Sequence, residues 1–353
     1  MKKIKVKIDT TPLLNEHAHR GIGSYTRFLS NELAKLDYVE LLGNQSKIED
    51  ADVVHYPYFD LFFDTLPFVK KKPVVVTVHD VIPLKYPKYY EPGIKGTLRF
   101  MKQKKSLQKV NAIITDSKTT IADIQKYLKI DLDKIHPIYA GVNPHINDKQ
   151  LSEKDLNRAR RVYKLPSQYV LYVGDINYNK NVPQLIKAVK YLPSNIKLVC
   201  VGRNFQAQEI PEWQWIETQL AMSDVQKRVK FISNLKTNAN QDLSAIYHLS
   251  LAYIQPSIDE GFGLPVVEAM RCHAPVIASK IDVLKEVGGS AAKYVESDAE
   301  SMANGLIEII NMKENEKNEL VNQAFKWSQK YSWSKTAKET VEVYQDAING
   351  QSK

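Results

Sequence analysis

The sequence predicts an α/β protein made of two doubly wound domains that face each other across a cleft. Three observations carry that expectation. Apolar runs of strand length alternate with amphipathic helical stretches in two separate series, a polar, turn-rich segment divides the series, and a last helical stretch has no strand after it. At 353 residues the chain can bury two cores.

In residues 1–145 the runs IKVKID (4–9), ADVVHY (51–56), PVVVTVHD (73–80), AIITDS (112–117) and KIHPIYA (134–140) read as buried strands. Helices are expected at 22–36, 91–109 and 118–129. YAGVNPHINDKQ (139–150) closes the series, and SEKDLNRARRVYKL (152–165) reads as a helix with Ser152 as N-cap and Asp155 at N3. Residues 146–330 hold the second series: QYVLYVG (168–174), IKLVCVG (196–202), VKFIS (229–233), SLAYIQPS (250–257) and APVIAS (274–279). Helices at 180–191, 240–249, 264–272 and 298–311 separate these strands, and WSKTAKETVEVYQDAI (333–348) is the final amphipathic helix within 331–353.

Composition is that of a soluble globular protein, 43% hydrophobic and 25% charged. No apolar run reaches the ~18 residues of a membrane span, and the N-terminal residues lack a signal peptide's apolar core, so a cytoplasmic location is expected. Cys200 and Cys272 each stand alone, which suits small core residues in a reducing compartment. The net charge of +9 is uneven: residues 1–165 hold 29 Lys and Arg against 19 Asp and Glu, the remainder 20 against 21. Its densest part, KGTLRFMKQKKSLQK (95–109), reads either as a solvated helix face or as a patch for anionic membrane lipid or a phosphate-bearing acceptor. No nucleic-acid motif accompanies the charge, so nucleic acid is not an expected partner.

The chemistry gathers at the end of the strand LAYIQPS. SIDEGFGLPVVEAMRCHAPVIAS (257–279) puts Glu260 and Glu268 around Gly261, Phe262, Gly263 and Leu264, with Pro265 suited to a helix's first turn. Glycines let backbone amides approach a ligand, and a helix start offers unpaired N–H groups with a positive dipole, so an anion such as phosphate belongs there. Carboxylates beside phosphate would repel it; vicinal sugar hydroxyls give each of them two donors instead. Phosphate plus polyol describes a nucleotide sugar.

PSIDEGFGLPVVEAM closely resembles the Glu-x7-Glu signature of retaining glycosyltransferases with the GT-B fold, of glycosyltransferase family four (the glycosyl transferases group 1 domain). YVGDINYNKNVPQLIKA (172–188) resembles that family's donor-phosphate loop, VKFISNLKTNANQDLSAIYHLS (229–250) its base-contacting stretch, VVVTVHDVIPLKYP (74–87) its strand ending in His-Asp, and RGIGSYTRFLSNEL (20–33) its glycine loop. YSWSKTAKETVEVY (331–344) resembles its terminal segment, which implies a C-terminal helix packed back on the N-terminal domain. The resemblance implies two Rossmann-like domains, acceptor-side (1–145) and nucleotide-sugar-binding (146–330).

It also implies roles. Glu268 holds the ribose hydroxyls. Glu260, with the amides of Gly261, Phe262 and Gly263, meets the transferred sugar and its phosphate. Lys180, following Gly174, neutralises the diphosphate, stabilising the charge that develops as the bond to the sugar breaks. Gly21 and Gly23 approach the same diphosphate, and His79 contacts the donor sugar. Asp80 reads as a turn or capping residue, and His55 and Tyr56 as acceptor-side candidates. One departure stands out: the family often carries an arginine after the phosphate-loop glycine, whereas Asp175 follows Gly174, leaving Arg203 as the substitute.

The expected activity is transfer of a hexose or deoxyhexose from a nucleoside diphosphate sugar to a glycan or lipid-linked acceptor hydroxyl, with retention, in cell-surface glycan assembly. The enzyme would be cytoplasmic or peripheral on the inner membrane face. No cofactor or metal is expected, since amides, a lysine and a helix dipole can replace a cation; Asp131 and Asp133, an Asp-x-Asp pair, lie in a polar connection and read as surface. Two alternatives stay open: a nucleotide-sugar epimerase or hydrolase on the same fold, or an inactive nucleotide-sugar-binding protein.

Overall fold

The computed structural model describes residues 3–15, 18, 21–43, 45–147, 151–235 and 239–350. Arg20 of the glycine loop and residues 236–238 of the expected base-contacting stretch lie outside them. The chain divides into two compact units, Met1–Asn143 with Tyr331–Lys353, and Pro144–Lys330. Each carries a six-stranded, wholly parallel sheet, so the fold is the two-domain α/β architecture expected.

The first unit contains β1 (Ile4–Ile8), α1 (Gly21–Leu33), β2 (Val39–Leu41), β3 (Val53–Tyr56), β4 (Val74–Thr77), α2 (Ile82–Lys85), α3 (Gly93–Leu107), β5 (Ala112–Thr115), α4 (Thr119–Asp123) and β6 (Ile135–Pro137). Its strand order is β2-β1-β3-β4-β5-β6. All four residues of β4 and of β5 are buried, because both faces of these inner strands are covered, and this is why they read as unbroken apolar runs. Asp80 accepts from the Ile82 amide at 2.9 Å, the local turn role expected of it. Asp131 and Asp133 are exposed.

The last helix, α13 (Trp333–Asn349), belongs to this unit and supplies part of its core. The Trp333 ring stacks on Phe28 at 5.6 Å and meets Tyr25 edge-on at 5.5 Å. The Thr336 hydroxyl donates to the Tyr139 carbonyl at 2.8 Å. His55 is a correction to the sequence reading: it is fully buried, with Nδ1 2.7 Å from the Tyr344 hydroxyl and Nε2 2.9 Å from Thr77 Oγ1. Burial holds it neutral, its pKa pushed down to about 3. A histidine with both nitrogens engaged in the core joins a helix to a sheet and does not meet an acceptor.

The second unit contains α5 (Glu153–Val162), β7 (Tyr169–Val173), α6 (Val182–Ala188), β8 (Lys197–Val201), α7 (Pro211–Ser223), β9 (Val229–Ile232), α8 (Ala239–His248), β10 (Ala252–Gln255), α9 (Leu264–Arg271), β11 (Val276–Ser279), α10 (Asp282–Gly288), β12 (Lys293–Val295), α11 (Ala299–Ile310) and α12 (Glu314–Ser328). Ser152 and Asp155 form the expected reciprocal cap of α5. Strand order is β12-β11-β10-β7-β8-β9. Chain direction across the sheet therefore reverses between β7 and β10, and at such a switch point the loops beyond the strand ends part to leave a crevice. Cys200 and Cys272 are both free and buried, as read from the sequence.

Gly141 shows how tightly α13 is seated. A Cβ there would lie 2.4 Å from the Trp333 amide nitrogen and 2.5 Å from its ring. Gly141→Ala is expected to destabilise the first unit by about 1–3 kcal/mol through overpacking. Urea unfolding followed by tryptophan fluorescence checks this, with Gly43→Ala, where a Cβ meets nothing within 4 Å, as the neutral control.

Candidate functional site

At the β7/β10 switch point the two loops are stitched together by asparagines. Asn179 donates through Nδ2 to the Asp259 carbonyl at 2.9 Å and accepts from the Ile258 amide at 2.9 Å. Asn181, in the left-handed region at φ +56°, donates to the carbonyls of Pro256 at 3.1 Å and Ser297 at 2.8 Å. These clips fix where the next side chains point.

Lys180, between the two asparagines, reaches Glu260: its Nζ lies 2.7 Å from both carboxylate oxygens. Oε1 of Glu260 also accepts from Gln255 Nε2 at 2.8 Å and from Ser257 Oγ at 2.7 Å. Gln255 in turn accepts from the Tyr253 hydroxyl. Glu260, Gln255 and Ser257 are buried, and a buried carboxylate persists as an anion only when paired and bonded in this way. The sequence reading sent Lys180 to a diphosphate and Glu260 to a sugar; the structure brings them together as partners.

Beyond them the chain turns through Gly263, at φ +99°, into α9 with Pro265 in its first turn. A Cβ on Gly263 would come within 2.8 Å of Leu284 Cδ2, so both dihedral and space require glycine. Phe262 is buried and Leu264 half-buried. One turn into α9, Glu268 accepts from the Tyr247 hydroxyl at 3.1 Å, and burial pushes its carboxyl up to about 7. Both glutamates thus flank the buried Tyr247–Tyr253 ring pair, whose centroids are 5.6 Å apart.

The first loop's departure from the family pattern has a structural use. Asp175 Oδ1 accepts from the Ile176 amide at 2.7 Å and from Asn204 Nδ2 at 2.5 Å, tying the β7 loop to the β8 loop. There Gly202 is indispensable, since a Cβ would sit 1.9 Å from the Gly174 carbonyl oxygen. Gly174 itself would place a Cβ 2.6 Å from the Tyr172 hydroxyl. Arg203 is exposed.

In the first unit, His79 follows β4. Its Nδ1 lies 2.6 Å from Asp116 Oδ2 and its Nε2 3.1 Å from the Pro57 carbonyl oxygen. Both partners are acceptors, an arrangement that favours the ring with hydrogen on both nitrogens. Burial opposes that charge, but the Asp116 carboxylate, with Asp80 further off, outweighs it and raises the pKa above the ordinary histidine value. Tyr25 meets the ring edge-on at 4.8 Å and Tyr58 stacks at 6.4 Å. Gly21 opens α1 with open space at its Cβ, and Gly23 is buried two residues on. At this sheet's own switch point, between β1 and β3, a cavity of about 470 Å³ is lined by Asp9, Thr11, Asn15, Tyr58, Asp60 and Phe63 among others.

Asp116→Asn removes the carboxylate that raises the His79 pKa and is expected to lower it. Ring-nitrogen NMR titration reads it directly: protonation of His79 then falls away at lower pH than in the parent protein. An unchanged midpoint would remove Asp116 from this role.

Two family models match the chain: Glycosyltransferase Family 4 over residues 8–146 and Glycosyl transferases group 1 over residues 153–327. An O-antigen chain mannosyltransferase of Salmonella typhimurium is 32% identical over 237 residues, covering 67% of this chain and 60% of that protein. A serotype-specific mannosyltransferase of Escherichia coli is 27% identical over 276 residues, 76% of this chain and 33% of that protein. The chain thus matches less than two thirds of the length of either relative. Among solved structures, a sucrose-phosphate synthase from Thermosynechococcus elongatus aligns with a TM-score of 0.74 at 19% identity, over 99% of this chain and 100% of that one. Anabaena HepE, solved with UDP and glucose, aligns at 0.70 and 16% identity, over 96% and 98%. At such identities the likeness speaks to fold. With both family models matched in order and the GT-B architecture present, the chain belongs to the glycosyltransferases that join a family 4 domain to a glycosyl transferases group 1 domain.

Proposed function

We propose that this protein transfers a hexose from a nucleoside diphosphate sugar to an acceptor hydroxyl in cell-surface glycan assembly, with the anomeric configuration retained and without a metal ion. Mannose is the first sugar to test, since the two relatives named above are mannosyltransferases. The observation that carries the reading is the arrangement at the β7/β10 switch point: a lysine–glutamate pair, a glycine turn into a helix start, and a second glutamate one turn along.

In this reading the diphosphate lies against the start of α9 and draws the Lys180 ammonium towards it. Glu260, still gripped by Gln255 and Ser257, turns its free capacity to sugar hydroxyls. Held in this way, it is not assigned as a nucleophile. As the bond between C1 and the phosphate oxygen breaks, Lys180 and the helix amides meet the growing negative charge, worth more here than in water. The acceptor oxygen bonds to C1 on the same face and its proton leaves with the phosphate oxygen. Glu268 accepts from the ribose hydroxyls. His79 donates through Nε2 to the transferred sugar once it lets go of the Pro57 carbonyl. The cavity between the β1 and β3 loops, with its carboxylates and aromatic rings, suits a sugar-bearing acceptor.

A thermal-shift screen of nucleotide sugars, followed by nucleotide-release assays with the tightest binder, tests the reading. Acceptor-dependent release supports it. Equal release without acceptor would make the protein a hydrolase, and binding without release under any acceptor would make it a binding protein. Glu268→Ala is expected to raise the donor's Kd about ten- to hundredfold, since hydrogen bonds to a charged group are worth about 1.5–3 kcal/mol; His79→Ala falls mainly on turnover. Donor affinity carries a pH signature. Hydroxyl donors favour the ionised Glu268, whose pKa is about 7. Affinity therefore rises with pH, by about tenfold between pH 6 and 8, and Glu268→Gln flattens the curve. Calorimetric titration across that range checks both the sign and the loss.

A further inference from the structure

Residues 253, 255 and 257 share one face of β10 and of its extension into the loop, since side chains alternate along a strand. Tyr253, Gln255 and Ser257 are all buried there, a polar row inside an apolar run. The row is bonded end to end. The Tyr253 hydroxyl donates to Gln255 Oε1, and the two hydrogens of Gln255 Nε2 go to Ser257 Oγ at 2.8 Å and to Glu260 Oε1 at 2.8 Å. Ser257 passes its own hydrogen to the same Glu260 oxygen at 2.7 Å. The Gln255 amide cannot be reversed, because its oxygen would then face a carboxylate.

Glu260 is thereby held unequally. Its Oε1 accepts from Gln255, Ser257 and Lys180, whereas Oε2, among the described residues, accepts from Lys180 alone. The Lys180 side chain is also the accessible member of the pair, 21% exposed against 6% for Glu260. Burial keeps the neighbouring phenols of Tyr172 and Tyr253 un-ionised, raising both well above the ordinary tyrosine value. Lys180 can therefore leave towards a ligand, and Gln255 and Ser257 cannot. Stability alone does not ask for such a row, since replacing a buried polar network by apolar side chains of the same shape is often neutral or stabilising. The row has a use at the moment Lys180 leaves, when a buried carboxylate without donors would swing away or take up a proton.

We propose that Gln255 is a positioning residue for sugar transfer. It pins Oε1 of Glu260, so that when Lys180 turns to a diphosphate the carboxylate stays in place and offers Oε2 to a sugar hydroxyl. The proposal rests on the donor reading given above and deepens it: exchange of partners at Glu260 is confined to one oxygen.

Calorimetric titration of the full chain with the nucleotide sugar that binds tightest, GDP-mannose being tried first, tests it. Gln255→Met keeps the length of the side chain but removes the amide, and is expected to raise the donor's Kd about tenfold or more. Gln255→Glu separates positioning from packing. Protonated, its carboxyl still donates to Glu260; ionised, it sets a second negative charge against the first. Its donor affinity is expected to approach the parent's at pH 6 and to fall as pH rises to 8, opposite in sign to the parent. In protein labelled at the glutamate carboxyl carbons, the Glu260 resonance is identified by its loss in Glu260→Gln. That resonance is expected to shift in Gln255→Met while that of Glu268 stays. Three results would overturn the proposal: undiminished donor binding by Gln255→Met, a pH curve for Gln255→Glu that follows the parent's, or an unmoved Glu260 resonance. Each of these, with a parent protein that binds donor, removes the proposal and leaves the donor reading standing. A parent protein that binds no nucleotide sugar sinks that reading, and the proposal with it.

Discussion

The site is organised by the contact between Lys180 and Glu260. A buried carboxylate is unaffordable unless its charge is met, and Glu260 is met by an ammonium, an amide and a hydroxyl together. Those donors come from two loops distant in sequence, which the reversal of strand order at β7 and β10 brings side by side. Asn179 and Asn181 close the same seam by donating their side-chain amides to backbone carbonyls. The pair is thus a lock between two loops as well as a charge arrangement. Any ligand that uses either partner must offer the other one a substitute.

Electrostatic context also divides two histidines of the first unit, His55 and His79. They stand on neighbouring strand ends, yet burial pushes the pKa of one down and a carboxylate raises that of the other. The difference lies in their partners. His55 faces hydroxyls, which can donate or accept and so tolerate a neutral ring; His79 faces a carboxylate and a carbonyl, which can only accept. Asp116, at the tip of β5, is what makes the second case possible.

Much of this was legible beforehand, for definite reasons. Inner parallel strands are buried on both faces, so their apolar runs announce them, and Glu260, Gly263 and Glu268 form a signature dense enough to name the family. The three-residue strands Val39–Leu41 and Lys293–Val295 are too short to show a period. Helices Pro211–Ser223 and Glu314–Ser328 bury only Trp213, Ile216 and Ser223, and Val321, Ala324 and Ser328, leaving too thin an apolar stripe to read. Within the site, the supporting residues were missed. Gln255 and Asp116 each close an apolar run, and a polar side chain in such a position must find a buried partner; that was the available signal. The pairings of Asp116 with His79 and of Lys180 with Glu260 could not be read, because they arise from strand order and not from proximity in sequence. The glycine at 202 was equally hidden, its need arising from one carbonyl of a neighbouring strand.

The first unit is assembled from both ends of the chain, with the whole second unit made in between. During synthesis Trp333, Thr336 and Tyr344 follow the whole second unit, so the strands of the first unit are made well before the helix that covers them. Until then His55 has one partner instead of two and the seat at Gly141 stands empty. The order of maturation is thereby inverted: the later-made domain can finish first, and the earlier-made one must wait for the closing helix.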